Sequence, residues 1–187
     1  MMNKVKLKLK NVSEIMGTED MGVILLTDEE EQRQLSIVCD KAMLYQFGLR
    51  QKKVKITESM LPEVLCKVLA AQTELRFQLI IHSITDGQYC AMLVNLDTLV
   101  PISIRASDAV LLSYIGKIAL FAEEELMNKQ SIPYASTEKQ MSLPVNSLSE
   151  EMLEKALERA VKDENYELAS QLKAEMEKRK PKKDDRV

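Results

Sequence analysis

Arg105-Ala-Ser-Asp-Ala109 stands between the strand-like segment Val100 to Ile104 and the apolar run Val110 to Ile118. It is a strand feeding a helix. Ser107 is a good N-cap, since its hydroxyl can accept from an early helical N–H. Asp108 then puts a carboxylate in the first turn, where the helix dipole favours it. Arg105 lies just ahead of the cap, within reach of Asp108. A strand end that opens a helix is also a common seat for anions. The plainer reading is a capped helix with a local ion pair.

Working outward, the same alternation of strand and helix signals covers the first two thirds of the chain. Lys4-Val-Lys-Leu-Lys-Leu-Lys10 alternates strictly and predicts a strand with one lysine face. Gly22–Thr27 and Gln34–Cys39 predict two more strands around the acidic turn Asp28-Glu-Glu-Glu31. Asp40 can cap a short helix through Phe47, with Gly48 as its stop. Ser59–Gln72 predicts a longer helix that tolerates Pro62 in its first turn and uses Leu61, Val64, Leu65, Val68 and Leu69 as its core face. Leu75–Ile84 and Gln88–Leu96 flank Thr85-Asp-Gly87, a strong hairpin signal. After the strand Leu99–Ile104 comes a helix over Ser107–Ile115, ended by Gly116. A short strand over Lys117–Phe121 and a last helical turn over Glu123–Met127 follow. The expected fold class is α+β: a mixed or antiparallel sheet packed with two or three helices.

Residues 129–148 change character, with Pro133, Pro144, several Ser and Thr and no periodicity, and predict a linker. Beyond it, Leu153, Leu157, Ala160 and Val161 form one apolar stripe and Leu168, Ala169, Leu172 and Met176 another, broken by Asp163-Glu-Asn165. This predicts an α-helical hairpin over residues 149–180. It is too short to bury both stripes well alone, so it is expected to pack on a partner. Residues 181–187 are expected to form a disordered charged tail. The first unit is expected to span residues 1–128.

The bulk numbers bound the function. The chain has 187 residues, 45% of them hydrophobic but only 4% aromatic and none Trp, so its core is aliphatic, with eleven Met to fill gaps. A net charge of −3 argues against coating nucleic acid by bulk electrostatics; any such contact needs a local basic patch. Two clusters qualify: the lysine face Lys4, Lys6, Lys8, Lys10, and the group Arg50, Lys52, Lys53, Lys55. The ordinary reading of the first is protection of an edge strand. Neither has interleaved aromatics, so base stacking is poorly supported. Cys39, Cys66 and Cys90 lie apart in apolar surroundings and read as buried thiols of a reducing compartment; no C-x-x-C pair suggests a zinc site. No signal peptide and no bilayer-length apolar run is visible, which leads to the expectation of a soluble, cytoplasmic protein.

Four segments, in order, resemble the bifunctional nuclease (DNase–RNase) domain family. Arg105–Leu126 resembles its R-P-S-D-A-(I/V)-x-L-A end. Leu35-Ser-Ile-Val-Cys-Asp-Lys-Ala42 resembles its L-P-I-x-I-G-x-x-E-A stretch, Thr57-Glu-Ser-Met-Leu61 falls where it has T-H-D-L-L, and Ile81–Ala91 resembles its I-x-D-x-x-D-G-x-(F/Y)-x-A hairpin. The resemblance implies hydrolysis of phosphodiester bonds in DNA or RNA. Nuclease chemistry needs an activated water and neutralisation of charge on phosphate, either by carboxylates around a divalent cation such as Mg or Mn, or by a base with an Arg clamp. No cofactor is certain and no metal ligand set is assigned. Asp108 is the first carboxylate candidate, Arg105 the phosphate clamp and Glu58 a further carboxylate. The chain departs from the family at Lys41, where the family shows Glu, at Glu58 and Ser59, where it shows His-Asp, and at Ala106, where it shows Pro. These departures favour the alternative of a non-catalytic binding or scaffold protein on the same fold. His82, the sole histidine, sits on an apolar strand and reads as structural. Asp86 reads as a turn residue.

Asn165-Tyr-Glu-Leu-Ala-Ser-Gln-Leu-Lys173 is similar to the D-Y-E-x-A-A-x-L-R core of the UVR motif, which implies contact with a protein partner or with a second copy in a homo-oligomer. On that resemblance the contact residues are Leu157, Tyr166, Ala169 and Leu172.

Overall fold

The computed structural model describes residues 3–15, 21–71, 76–134, 145, 148 and 150–179. The chain is α+β. The first three strands, β1 (Lys4–Glu14), β2 (Met21–Asp28) and β3 (Arg33–Asp40), form an antiparallel meander, and α1 (Lys41–Gln51) follows β3 with no intervening loop. A 3₁₀ turn (Lys55–Ser59) leads into α2 (Leu61–Ala71). Then come the hairpin β4 (Phe77–Thr85) and β5 (Gln88–Asn95), the strand β6 (Pro101–Arg105), α3 (Ala106–Gly116), β7 (Ala119–Glu123), α4 (Glu124–Gln130) and the two-residue strand β8 (Ile132–Pro133). All eight strands join one mixed sheet in the order β6-β5-β4-β7-β1-β2-β3-β8, in which only the β4–β7 pairing is parallel. No helix among the described residues is long and apolar enough to cross a membrane.

The core is aliphatic, as the composition requires. Ile24 and Leu26 on β2, Leu35 and Ile37 on β3, Leu79 and Ile81 on β4, and Leu120 and Ala122 on β7 pack under Met43 and Phe47 of α1 and Ala109 and Val110 of α3. The β4–β5 turn has φ of 50° at Asp86 and 74° at Gly87, which is why Asp-Gly stands there.

Several expected boundaries shift for identifiable reasons. Helix α1 runs through Gly48 to Gln51, because Arg50 bonds back to the Gln46 carbonyl at 2.8 Å and across to Glu63 on α2 at 2.7 Å. The expected core face of α2 is turned outward: Leu61 is 79% exposed, Val64 41% and Val68 45%, and Leu65 is exposed too. Cys66 and Leu69 take the inner side instead. The Arg50–Glu63 pair and the approach of α2 to α3 set that rotation. A Cβ on Gly116 would sit 2.8 Å from Cys66 Sγ, so glycine serves helix contact there, and Lys117 takes the left-handed position at φ 55°. Residues 129–134, expected to open the linker, instead finish α4 and pair as β8 with β3; residues 135–144 lie outside the described residues.

The C-terminal hairpin is α5 (Glu150–Lys162) and α6 (Tyr166–Arg179). Leu153 and Ala160 of one stripe and Ala169 and Leu172 of the other are buried together, while Val161 stays exposed. Leu148, Leu153, Ala156, Ala160, Ala169 and Leu172 form a second cluster, against which Val38 of β3 packs. The tail, residues 181–187, lies outside the described residues.

Candidate functional site

Two strand-to-helix junctions meet on this fold. At the first, β3 ends at Asp40, whose carboxylate accepts from the Met43 backbone N–H at 2.7 Å and so caps α1. Lys41 is the first residue of the helix. At the second, β6 ends at Arg105 and α3 begins at Ala106. The N-cap is therefore Arg105, two residues ahead of the expected Ser107, and no side chain caps α3. Ala106 occupies the first helical position, where proline is also well tolerated.

Arg105 links the two junctions. Its Nε donates to Asp108 Oδ2 at 2.6 Å and its Nη2 to Asp108 Oδ1 at 3.3 Å, a two-pronged pairing within one turn. Its Nη1 lies 3.5 Å from Asp40 Oδ2. The Asp108 hydrogen bond holds the guanidinium pKa above its ordinary value, against the opposing effect of desolvation, and the charges of Asp108 and Asp40 add to the rise. The Arg105 side chain is still 66% exposed, so the cluster faces solvent. What it offers is a fixed cation over the uncapped N-terminus of an eleven-residue helix, with two carboxylates in hand.

Asp40 is the residue that sequence reasoning assigned only to capping. The repeated strand-to-helix pattern at Asp40-Lys41 and Arg105-Ala106 was the available signal, but nothing in either segment alone shows that they adjoin. Glu58 is in the 3₁₀ turn; its side chain is exposed and its carbonyl accepts from Lys67 Nζ at 2.8 Å. No contact among the described residues joins it to Arg105. His82 sits at a bulge in β4 and shares a hydrogen bond with the Ser83 hydroxyl at 3.0 Å. Asp108 pairs with Arg105 and Asp40 divides between the Met43 N–H and Arg105, and no group of three or more His, Cys, Asp or Glu side chains among the described residues is placed to hold a metal ion. The described residues do not fit a bound divalent cation.

The basic clusters separate clearly. Lys6 pairs with Glu29 at 2.8 Å and Lys10 with Glu31 at 2.6 Å, Lys8 donates to the Glu29 carbonyl and Lys4 to Gln78, so the lysine face is a strand surface neutralised locally. Arg50 is buried in its pair with Glu63 and leaves the second cluster. Lys52, Lys53 and Lys55 remain exposed at the far end of α1. In the hairpin, Ala169 and Leu172 are buried inside the unit itself, Leu157 is half-buried, and Tyr166, 71% exposed, and Val161, 55% exposed, face outward.

Residues 24–135 match the bifunctional nuclease domain, and this span contains both junctions, the Arg50–Glu63 pair and every strand from β3 to β8. A comparison with curated proteins finds no match. The match covers more than half of the 187 residues, and the chain therefore belongs to the bifunctional nuclease domain family.

Proposed function

We propose that the chain hydrolyses phosphodiester bonds in DNA or RNA at the Asp40–Arg105–Asp108 cluster. The single observation that carries this reading is Arg105 spanning both junctions above an uncapped helix start. A phosphate oxygen can take the outer face of the guanidinium and a first-turn N–H of α3, where charge building in the transition state is neutralised by groups already in place. Asp108, holding Nε, keeps the guanidinium plane fixed. Asp40 caps α1 through Oδ1, and its Oδ2, at the longer contact to Arg105, is the oxygen that orients a water and accepts its proton as the water oxygen bonds to phosphorus. The P–O bond to the leaving sugar breaks, and its oxygen takes a proton from solvent. Lys52, Lys53 and Lys55 lie at the opposite end of α1 from Asp40, roughly 16 Å away for an eleven-residue helix. They hold further phosphates and supply affinity without sequence reading.

The hairpin supports a second role. Its exposed Tyr166 and Val161, together with the half-buried Leu157, form a small apolar surface suited to a protein partner, in keeping with the resemblance to the UVR motif. The outward apolar face of α2 favours the scaffold reading, in which the nuclease fold only binds. The test is incubation of the purified chain with single-stranded DNA and RNA, with and without magnesium or manganese, beside Asp40→Asn and Asp108→Ala. Cleavage lost in both variants supports the assignment. Cleavage unchanged in both removes it, and no cleavage by the wild type in any condition leaves the scaffold reading.

A further inference from the structure

Among the described residues, β6 is an edge of the sheet. Strand β6 pairs with β5 on one side only. The Asn95 N–H donates to the Val100 carbonyl at 3.3 Å, and the register continues through Leu93↔Ile102 and Ala91↔Ile104. Antiparallel partners alternate between bonded and non-bonded pairs. Val100, Ile102 and Ile104 therefore bond inward to β5, while Pro101, Ser103 and Arg105 turn their backbone groups to the free edge. Pro101 falls on an outward position, where its missing N–H costs the ladder nothing. Pro101 and the five-residue length are the protective devices this edge has; the rest of Leu99-Val-Pro-Ile-Ser-Ile104 carries no charge and no bulge. Leu99 is 73% exposed and Ile102 55%.

We propose that β6 pairs antiparallel with β6 of a second copy, about a two-fold axis at Ser103. That register is self-complementary. The two Ser103 residues exchange N–H and C=O bonds, and each Arg105 N–H meets the Pro101 carbonyl of the other copy. Ile102 falls opposite Ile104 of the other copy on the face that carries Leu93 and Ala91, so the apolar layer continues across the axis. Arg105, the sole charged residue of the strand, faces proline rather than another Arg105. The opposite sheet edge, β8, has two residues, so head-to-tail growth has little to grip and a closed dimer is the outcome. The pairing uses only the backbone of Arg105, so its failure leaves the side-chain cluster of the nuclease reading untouched.

Light scattering over a concentration series on the full chain tests it, with Ile102→Lys and Ser103→Pro as variants. Ser103 makes no ladder bond within its own sheet, so proline there removes only the bonds between copies and leaves the far-UV circular dichroism unchanged. The expected result is that the wild-type mass falls by half in both variants. A second readout is Ser103→Cys in a Cys90→Ser background. Facing residues of a bonded pair lie about 5.5 Å apart at Cα, within disulfide range, so mild oxidation gives a dimer cross-linked at position 103. A wild-type mass of one chain with no such cross-link overturns the proposal. So does a dimer that survives both edge variants but falls apart in Tyr166→Ala, which assigns association to the hairpin.

Discussion

Arg105 Nη1 stands 3.5 Å from Asp40 Oδ2, so an ion pair joins the end of β6 to the start of α1, at opposite ends of the family's motif order. The Asp108 partner of Arg105 is local, three residues on, and any helix start with that sequence could make it. The Asp40 contact is different, because only the fold provides it.

The Arg50–Glu63 pair ties α1 to α2, and its removal tests its weight. Arg50 is 4% and Glu63 12% exposed at the side chain. Arg50→Ala leaves a carboxylate with no cation in a nearly dry setting, at a cost of about 3 kcal/mol. For a chain of this size that lowers Tm by roughly 6–12 °C. The double replacement Arg50→Met with Glu63→Leu recovers most of the loss, since it leaves no unpaired charge. Thermal unfolding by circular dichroism checks both.

Asp28 makes stability depend on acid. Burial alone raises its pKa, but the Arg33 and Gln32 backbone N–H groups and the Arg33 guanidinium outweigh it, and the net shift is downward. A carboxylate with a depressed folded pKa stabilises the fold above its unfolded value, near 3.8, and that stabilisation disappears as pH falls through the still lower folded value. Denaturant midpoints for the wild type should therefore drop below about pH 4. Asp28→Asn should be less stable at neutral pH and flatter over the acid range. A variant with the wild-type slope rejects this account.

The three thiols should differ in reactivity. Cys39 is buried, and burial together with the nearby Asp40 charge pushes its pKa up to about 12. Cys66 is also buried and its pKa is raised by burial first and by Glu63 next. Cys90 is half-buried. Thiol titration of the native chain near pH 8 should modify Cys90 within the assay and the other two only after denaturation. Peptide mapping identifies which thiol reacted.

The lysines at the end of α1 should act through phosphate alone. Replacing Lys52, Lys53 and Lys55 with Ala should weaken binding to single strands of any sequence and reduce the slope of log K against log salt by about two. Replacing Lys6 and Lys8 should leave the slope unchanged, because those charges already face Glu29.

The strands and hairpins were legible because their signals are local. Alternation in Lys4–Lys10, Asp-Gly at the β4–β5 turn and the Asp40 cap each state their structure within a few residues. The fold class followed from the order of those signals and from the family motifs. What was not legible depends on contacts distant in sequence. The rotation of α2 was misread because its apolar side chains outnumber the pair Glu63 and Cys66 that tie it down. Ala169 and Leu172, expected as partner contacts, lie buried within the hairpin's own cluster. At the candidate site, Arg105 and Asp108 were readable as neighbours. Glu58 matched a family position without reaching the cluster, and Asp40 joined it only once the sheet had brought the two junctions together.

The central claim is that Arg105 is the phosphate clamp of a nuclease site. The most direct measurement is kcat/KM for cleavage of a labelled single-stranded RNA by the wild type, Arg105→Ala and Arg105→Lys, with folding confirmed by circular dichroism. Losing a charge aimed at the transition state should cost about 10²–10³-fold. Lysine, a point charge without the two-pronged geometry, should recover only part of it. Wild-type activity in a folded Arg105→Ala chain would contradict the assignment.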